Sequence, residues 1–245
     1  MIFRRTGLPP AGRGIVAEHL AVWPQLTSEE QDRLLAITDE LLVRKTWEAA
    51  QGFALDDVVR VVIAAQAALL VLELSIEHYR RVGAIIVHPS TLQSTGLSSG
   101  PSTGTVRSSP VAVLGLAQGG HGPVALAWDQ SLAGAHRAPR GHNVVLHEFA
   151  HKIDMLGGDV NGTPVLPREL RADWKRVCTE VYRDLVNGVP RFPMRWYGAT
   201  NPGEFFAVAT EVFFEQGVDL EYNEPDLYDV LQRFYRQDPA ARERT

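Results

Sequence analysis

Cysteine is almost missing from this 245-residue chain, with Cys178 the sole representative. One thiol excludes a disulfide framework and a cysteine-type zinc finger, and it fits a reducing compartment. There is no basic excess either: 24 Lys and Arg stand against 29 Asp and Glu, a formal charge of −5. That balance argues against direct nucleic-acid binding, which relies on a positive surface. No apolar run is long enough to cross a bilayer, which takes about 20 residues. The most apolar stretch, Val58 to Leu74, is interrupted by Arg60, Gln66 and Glu73 and reads as a buried core helix. No apolar segment follows the basic start Met1-Ile2-Phe3-Arg4-Arg5, so no secretory signal is read. A cytoplasmic protein with no membrane attachment is the expectation. Apolar residues are plentiful, at 45%, and the length allows one large domain or two small ones.

The first 22 residues are rich in Pro, Gly and Arg and are expected to form a mobile leader. A single domain over 23–240 follows, with a helical N-terminal part. Thr27-Ser28-Glu29-Glu30 has the spacing of a capping box and predicts a helix to about Lys45. Asp56 or Asp57 caps a second helix, and Ala84-Ile85-Ile86-Val87 reads as a short buried strand stopped by Pro89. Residues 90–110 are Ser/Thr/Gly-rich and predict a flexible loop. Val111 to Leu116 and Pro123 to Trp128 read as strands joined by a hairpin at Gln118-Gly119-Gly120-His121-Gly122. Helices are predicted at about 143–156, 167–187, 201–216 and 224–236. Helices, a few strands, then helices again give an α+β class, mostly helical with a small mixed sheet.

The chemistry lies in His147-Glu148-Phe149-Ala150-His151, an HExxH motif. On a helix the two histidines share one face, a turn apart, and can grip one zinc ion, while the glutamate takes a proton from water. Asn143 is a plausible cap for that helix and Gly157-Gly158 a plausible stop. Val145, Phe149 and Leu156 lie opposite the histidines and can be buried. Asp154 shares the histidine face, either as an acceptor for a ligand imidazole or as a surface acid near the helix end. A third ligand is needed. Asn201-Pro202-Gly203-Glu204 reads as a helix start, so Glu204 is either a ligand or the last member of an Asn-x-x-Glu cap. Glu211 and Glu215 fall on the same face as Glu204. The residues alone leave the choice open between Glu204 and Glu211.

The block from His147 to Asp154, followed by Tyr197-Gly198-Ala199-Thr200-Asn201-Pro202-Gly203-Glu204-Phe205-Phe206-Ala207-Val208, resembles the Mlc titration factor A family of bacterial zinc-dependent peptidases. The same two blocks are similar to the catalytic domain of lethal-factor-type toxin proteases. The likeness runs from Trp23 to about residue 235. It implies a zincin-like metallopeptidase domain of the HExxH…E (gluzincin-like) type, with the small sheet beside the HExxH helix. It implies Zn2+ on His147, His151 and Glu204, Glu148 as general base, and Tyr197 as a catalytic assistant. Glu204 is thereby chosen over Glu211, and Glu211 becomes an outer support of the centre. The Ser94–Ser109 run and the residues just before Gly122 depart from the family pattern.

The expected function is zinc-dependent hydrolysis of a peptide or protein, with the aminopeptidase-like character that the resemblance implies. The strand from Pro123 to Trp128, through Val124, Leu126 and Trp128, is the expected edge for an extended substrate. Two alternatives stand beside it. One is a regulatory protein that sequesters a transcriptional repressor, as the resembled family's name implies, with or without proteolysis. The other is a zinc hydrolase acting on a non-peptide amide or ester.

Overall fold

Thr27 and Glu30 form the reciprocal cap their spacing predicts, each side chain accepting from the other's backbone N–H at 3.2 and 2.9 Å. The structure is a computed structural model describing residues 7–90, 122–137, 139–158 and 160–244. In it the capped helix α2 spans Ser28–Arg44 and α3 spans Asp57–Leu70, with Asp56 as its cap. Helix α3 is buried from Val59 to Leu70, which its mostly apolar sequence requires even though Arg60 and Gln66 interrupt it. No helix among the described residues is long and apolar enough to cross a membrane.

Three short strands form one sheet in the order β1–β2–β3: Thr46–Ala49, Ala84–His88 and Val124–Ala127. Both pairings are parallel, with Trp47 opposite Ile85 and Ile85 opposite Val124. The expected mixed sheet is corrected to a parallel one among the described residues. The reason is connectivity: α3 lies in the crossover from β1 to β2, and crossovers rather than hairpins join parallel strands. Strand β1 was not predicted, because four residues with a central Glu48 carry too little alternation to stand out. Strand Val111–Leu116, the hairpin up to His121 and the loop expected over 90–110, apart from Ser90, lie outside the described residues.

Helix α4 (Trp128–Ala135) follows β3 without a turn, so Trp128 opens a helix instead of ending a strand. Then come α5 (Val144–Asp154), α6 (Arg171–Val186), α7 (Pro202–Glu215), α8 (Gly217–Asn223), α9 (Pro225–Tyr235) and α10 (Pro239–Glu243). Within the stretch expected to be a mobile leader, the described part holds a packed helix. Residues Gly12–His19 form helix α1, packed on α3, and Val16, Leu20 and Val22 are buried. Apolar residues at this spacing outweigh the Pro and Gly content that suggested mobility.

Helix α5 is the centre of the molecule. It packs on α7, α3, α4 and β3 together, and every residue from Val145 to Asp154 is buried. Phe149 lies edge-on to Tyr79, with ring centres 4.8 Å apart. A helix enclosed this way holds its side chains in fixed rotamers, which suits a site that needs fixed geometry.

Candidate metal centre

Asn143 sets where α5 begins. Its Oδ1 accepts from the N–H groups of Val145 and Leu146, both at 3.1 Å, so two orphan donors of the first turn are satisfied. Its Nδ2 donates to Gln66 Oε1 on α3 at 3.0 Å and to Glu215 Oε1 on α7 at 3.2 Å. The cap thereby also pins the start of α5 to both neighbours.

One turn on, His147 and His151 face Glu204, which α7 presents from its first turn. Asn201 caps α7 through Glu204 N–H at 3.0 Å. The Glu204 carboxylate reaches the histidines, with Oε2 at 3.0 Å from His147 Nε2 and 3.5 Å from His151 Nε2. The two Nε2 atoms are 3.2 Å apart. Three potential ligand atoms, one from each of His147, His151 and Glu204, thus form one tight triangle.

That donor set fits zinc. Two imidazole nitrogens and one carboxylate oxygen are its usual catalytic ligands, and donors about 2.0–2.2 Å from a tetrahedral ion lie about 3.3–3.6 Å from one another. Glu204 Oε2 is buried against the two imidazole nitrogens, where one cation would serve all three donors. Three protein ligands would leave a fourth position of a tetrahedral ion to water or substrate.

The electrostatics agree. Burial pushes the His147 imidazolium down, but hydrogen bonds to Glu204 and Glu211 outweigh it and hold the group at about 10. The same contacts outweigh burial at Glu204 and Glu211 and keep both carboxyls below the ordinary range.

Glu211 is the orienting group. Its Oε1 accepts from His147 Nδ1 at 2.8 Å and its Oε2 from Asn143 N–H at 2.6 Å. Fixing Nδ1–H leaves the Nε2 lone pair for a metal. The acidic face of α7 is not solvated: Glu211 and Glu215 are buried. Burial raises Glu215 to about 7, against the pull of Arg137 and Asn143.

Asp154 makes no hydrogen bond to a ligand imidazole among the described residues. Its Oδ2 accepts from Gly162 N–H at 2.8 Å and its Oδ1 has no partner among the described residues. It holds the turn at Gly162, where an added Cβ would lie 2.2 Å from the Pro202 carbonyl oxygen. Asp154 thus braces the start of the helix that carries Glu204. Burial raises its carboxyl to about 6.

Tyr197 lies in a 3-10 turn, Trp196–Ala199, with its ring centre 6.0 Å from that of His147. Glu148 follows His147 on α5 and is buried to the same degree. Val124 and Leu126 are buried in the core, so an extended substrate would meet the backbone of β3 and not these side chains. Among the described residues β3 has a strand on one edge only. Lys152 Nζ donates to Gly122 O at 3.0 Å and ties the metal-facing helix to the start of β3.

Sequence reasoning missed Arg195, Gln66 and Lys152. Arg195 donates to Glu211 Oε1 and to His142 Nδ1. Only Lys152 carried a signal, as a cation inside an otherwise enclosed helix.

The fold and site define an α+β protein with a candidate His–His–Glu metal centre on two packed helices. The chain belongs to the glucose-regulated metallo-peptidase M90 family, whose profile matches residues 2–236. It is 38% identical to an uncharacterized protein of Synechocystis sp., over 97% of this chain and 87% of that one. It is 33% identical to Mlc titration factor A of Serratia proteamaculans, over 92% of this chain and 90% of the relative. The corresponding protein of Salmonella agona is also 33% identical, over 89% and 83%.

Proposed function

We propose that the chain is a zinc-dependent peptide hydrolase of the HExxH…E, gluzincin-like type, with a zincin-like arrangement around α5. The observation that carries this reading is the convergence of His147, His151 and Glu204 on one point, with Glu148 beside it. Membership of a metallo-peptidase family supports it.

His147, His151 and Glu204 would hold the ion, and Glu211 would orient His147. Held by these residues, a zinc ion would supply an acidified water, with a pKa toward about 7, and a polarised carbonyl. Glu148 takes the proton of the attacking water and later delivers it to the leaving amine. The Tyr197 hydroxyl donates to the developing oxyanion, a contribution of about 2.7–4 kcal/mol for one such donor. The edge of β3 that carries no strand among the described residues pairs with an extended substrate backbone, which favours peptides over compact amides or esters.

Glu148→Gln tests the reading. The amide is nearly isosteric and leaves the three ligands in place. Wild type and variant should each hold about one zinc per chain, while cleavage of a peptide library falls by at least about 10²–10⁴-fold. A wild type that holds zinc and cleaves nothing would favour a second reading, capture of a transcriptional repressor. The name of the Serratia and Salmonella relatives, Mlc titration factor A, supports that reading. A wild type without zinc affinity would overturn the assignment of the centre.

A further inference from the structure

Among the described residues Arg195 is the one guanidinium that touches both Glu211 and His142. It stands immediately before the Trp196–Ala199 turn, and its carbonyl accepts from Gly198 N–H at 3.0 Å. Its side chain leaves that turn and forks. Nη2 donates to Glu211 Oε1, the same oxygen that accepts from His147 Nδ1. Nη1 donates to Nδ1 of His142. The next residue, Asn143, donates its N–H to the other Glu211 oxygen. A closed ring of contacts therefore runs from the Tyr197 turn to Glu211 on α7, across to the start of α5, and back through His142.

We propose that Arg195 is a positioning residue that locks the orienting carboxylate Glu211 and the turn carrying Tyr197 into one rigid unit. Three physical points support this. Glu211 is almost fully buried, so its charge needs compensation by more than one partner. A planar guanidinium serves two acceptors at once in fixed directions, which a lysine ammonium on a flexible stem does not. Groups that support a ligand imidazole typically change metal affinity 10–100-fold when removed. The role assigned to Tyr197 rests on the hydrolase reading, whereas the contacts with Glu211 and the turn do not.

The test uses the full chain and two readouts that need no turnover. One is zinc affinity against a competing chelator. The other is amide hydrogen exchange at Gly198 and Thr200 in the metal-free protein. Arg195→Ala should weaken zinc 10–100-fold and speed exchange of both amides about tenfold or more. Arg195→Lys should restore neither by more than a small part, and it carries the test should the alanine variant fail to fold. Arg195→Ala combined with Glu211→Gln should bind zinc within about twofold of Glu211→Gln alone, because both changes remove one function. Zinc affinity within threefold of wild type in Arg195→Lys, exchange unchanged at Gly198 and Thr200, or simple additivity with Glu211→Gln overturns the proposal. A wild type that shows all the expected couplings and hydrolyses no peptide overturns the hydrolase reading and leaves the positioning role standing. A wild type that does not bind zinc overturns both.

Discussion

Replacing Asn143 by alanine should damage stability and metal affinity together, though Asn143 touches neither metal nor substrate. The side chain makes four hydrogen bonds in a buried setting: two to the first-turn N–H groups of α5, one to Gln66 and one to Glu215. Loss of the cap costs about 1 kcal/mol. Removing the amide donor leaves the Gln66 and Glu215 oxygens without this partner, at about 1–3 kcal/mol for each buried group. Glu215 keeps the nearby Arg137, 3.8 Å away, which softens its share. The sum is about 3–5 kcal/mol, or a fall in Tm of about 6–20 °C for a chain of this size. His147 lies one turn on and donates its N–H to the Asn143 carbonyl at 2.9 Å, so fraying of the first turn also disturbs a ligand. Denaturant unfolding of the metal-free chain measures the first effect and chelator competition the second. Asn143→Ser keeps a capping oxygen without the amide donor and should recover about 1 kcal/mol. A loss below about 1 kcal/mol in Asn143→Ala, or equal losses in both variants, would refute the reasoning.

Two pH-dependent predictions follow from the same cluster. Burial holds Glu215 at about 7 in the folded chain, above its unfolded value of 4.5. A raised carboxyl costs nothing below pH 4.5, and its cost grows as pH climbs through 7, so Glu215→Gln should gain about 2–3 kcal/mol relative to wild type between pH 5 and 8. Parallel stability curves from urea melts at the two pH values would contradict this. His147 is the opposite case. Its folded value of about 10 lies above the unfolded 6.5, so its contribution to metal-free stability is complete below pH 6.5 and disappears as pH rises through about 10. Zinc must displace that proton, so affinity should rise close to tenfold per pH unit between pH 7 and 9, with about one proton released at pH 8. Calorimetry in two buffers of different ionisation enthalpy counts the proton, and a count near zero would rule the scheme out.

Local features were legible because local chemistry decides them. The Thr27–Glu30 cap, the Asp56 cap of α3, the Asn143 cap of α5 and the Asn201 cap of α7 each depend on side chains two or three residues from the N–H they serve. Strand β1 and the parallel pairing were not legible, since a four-residue strand is defined by the partner it finds. Helix α1 was hidden by its two glycines and by the prolines that precede it, and its stability comes from packing on α3. Trp128 was read as strand because alternation continues through it, whereas the chain turns into α4 there.

At the site the division is sharper. The spacing of His147, Glu148 and His151 by itself determined that one helical face could offer two imidazoles to one ion, because the helical repeat alone brings i and i+4 together. The cap at Asn201 likewise followed from sequence. Whether Glu204 completes that cap or turns to the histidines was decided only by the tertiary packing of α7 on α5, which sets its carboxylate 3.0 Å from His147 Nε2. The same packing gave Glu211 to His147 and brought Arg195 to both Glu211 and His142. It set Asp154, read from sequence as either an imidazole acceptor or a surface acid, as a buried brace for the Gly162 turn. Residues on different helices have no fixed spacing along the chain, so their meeting depends on the buried surfaces that hold the helices together.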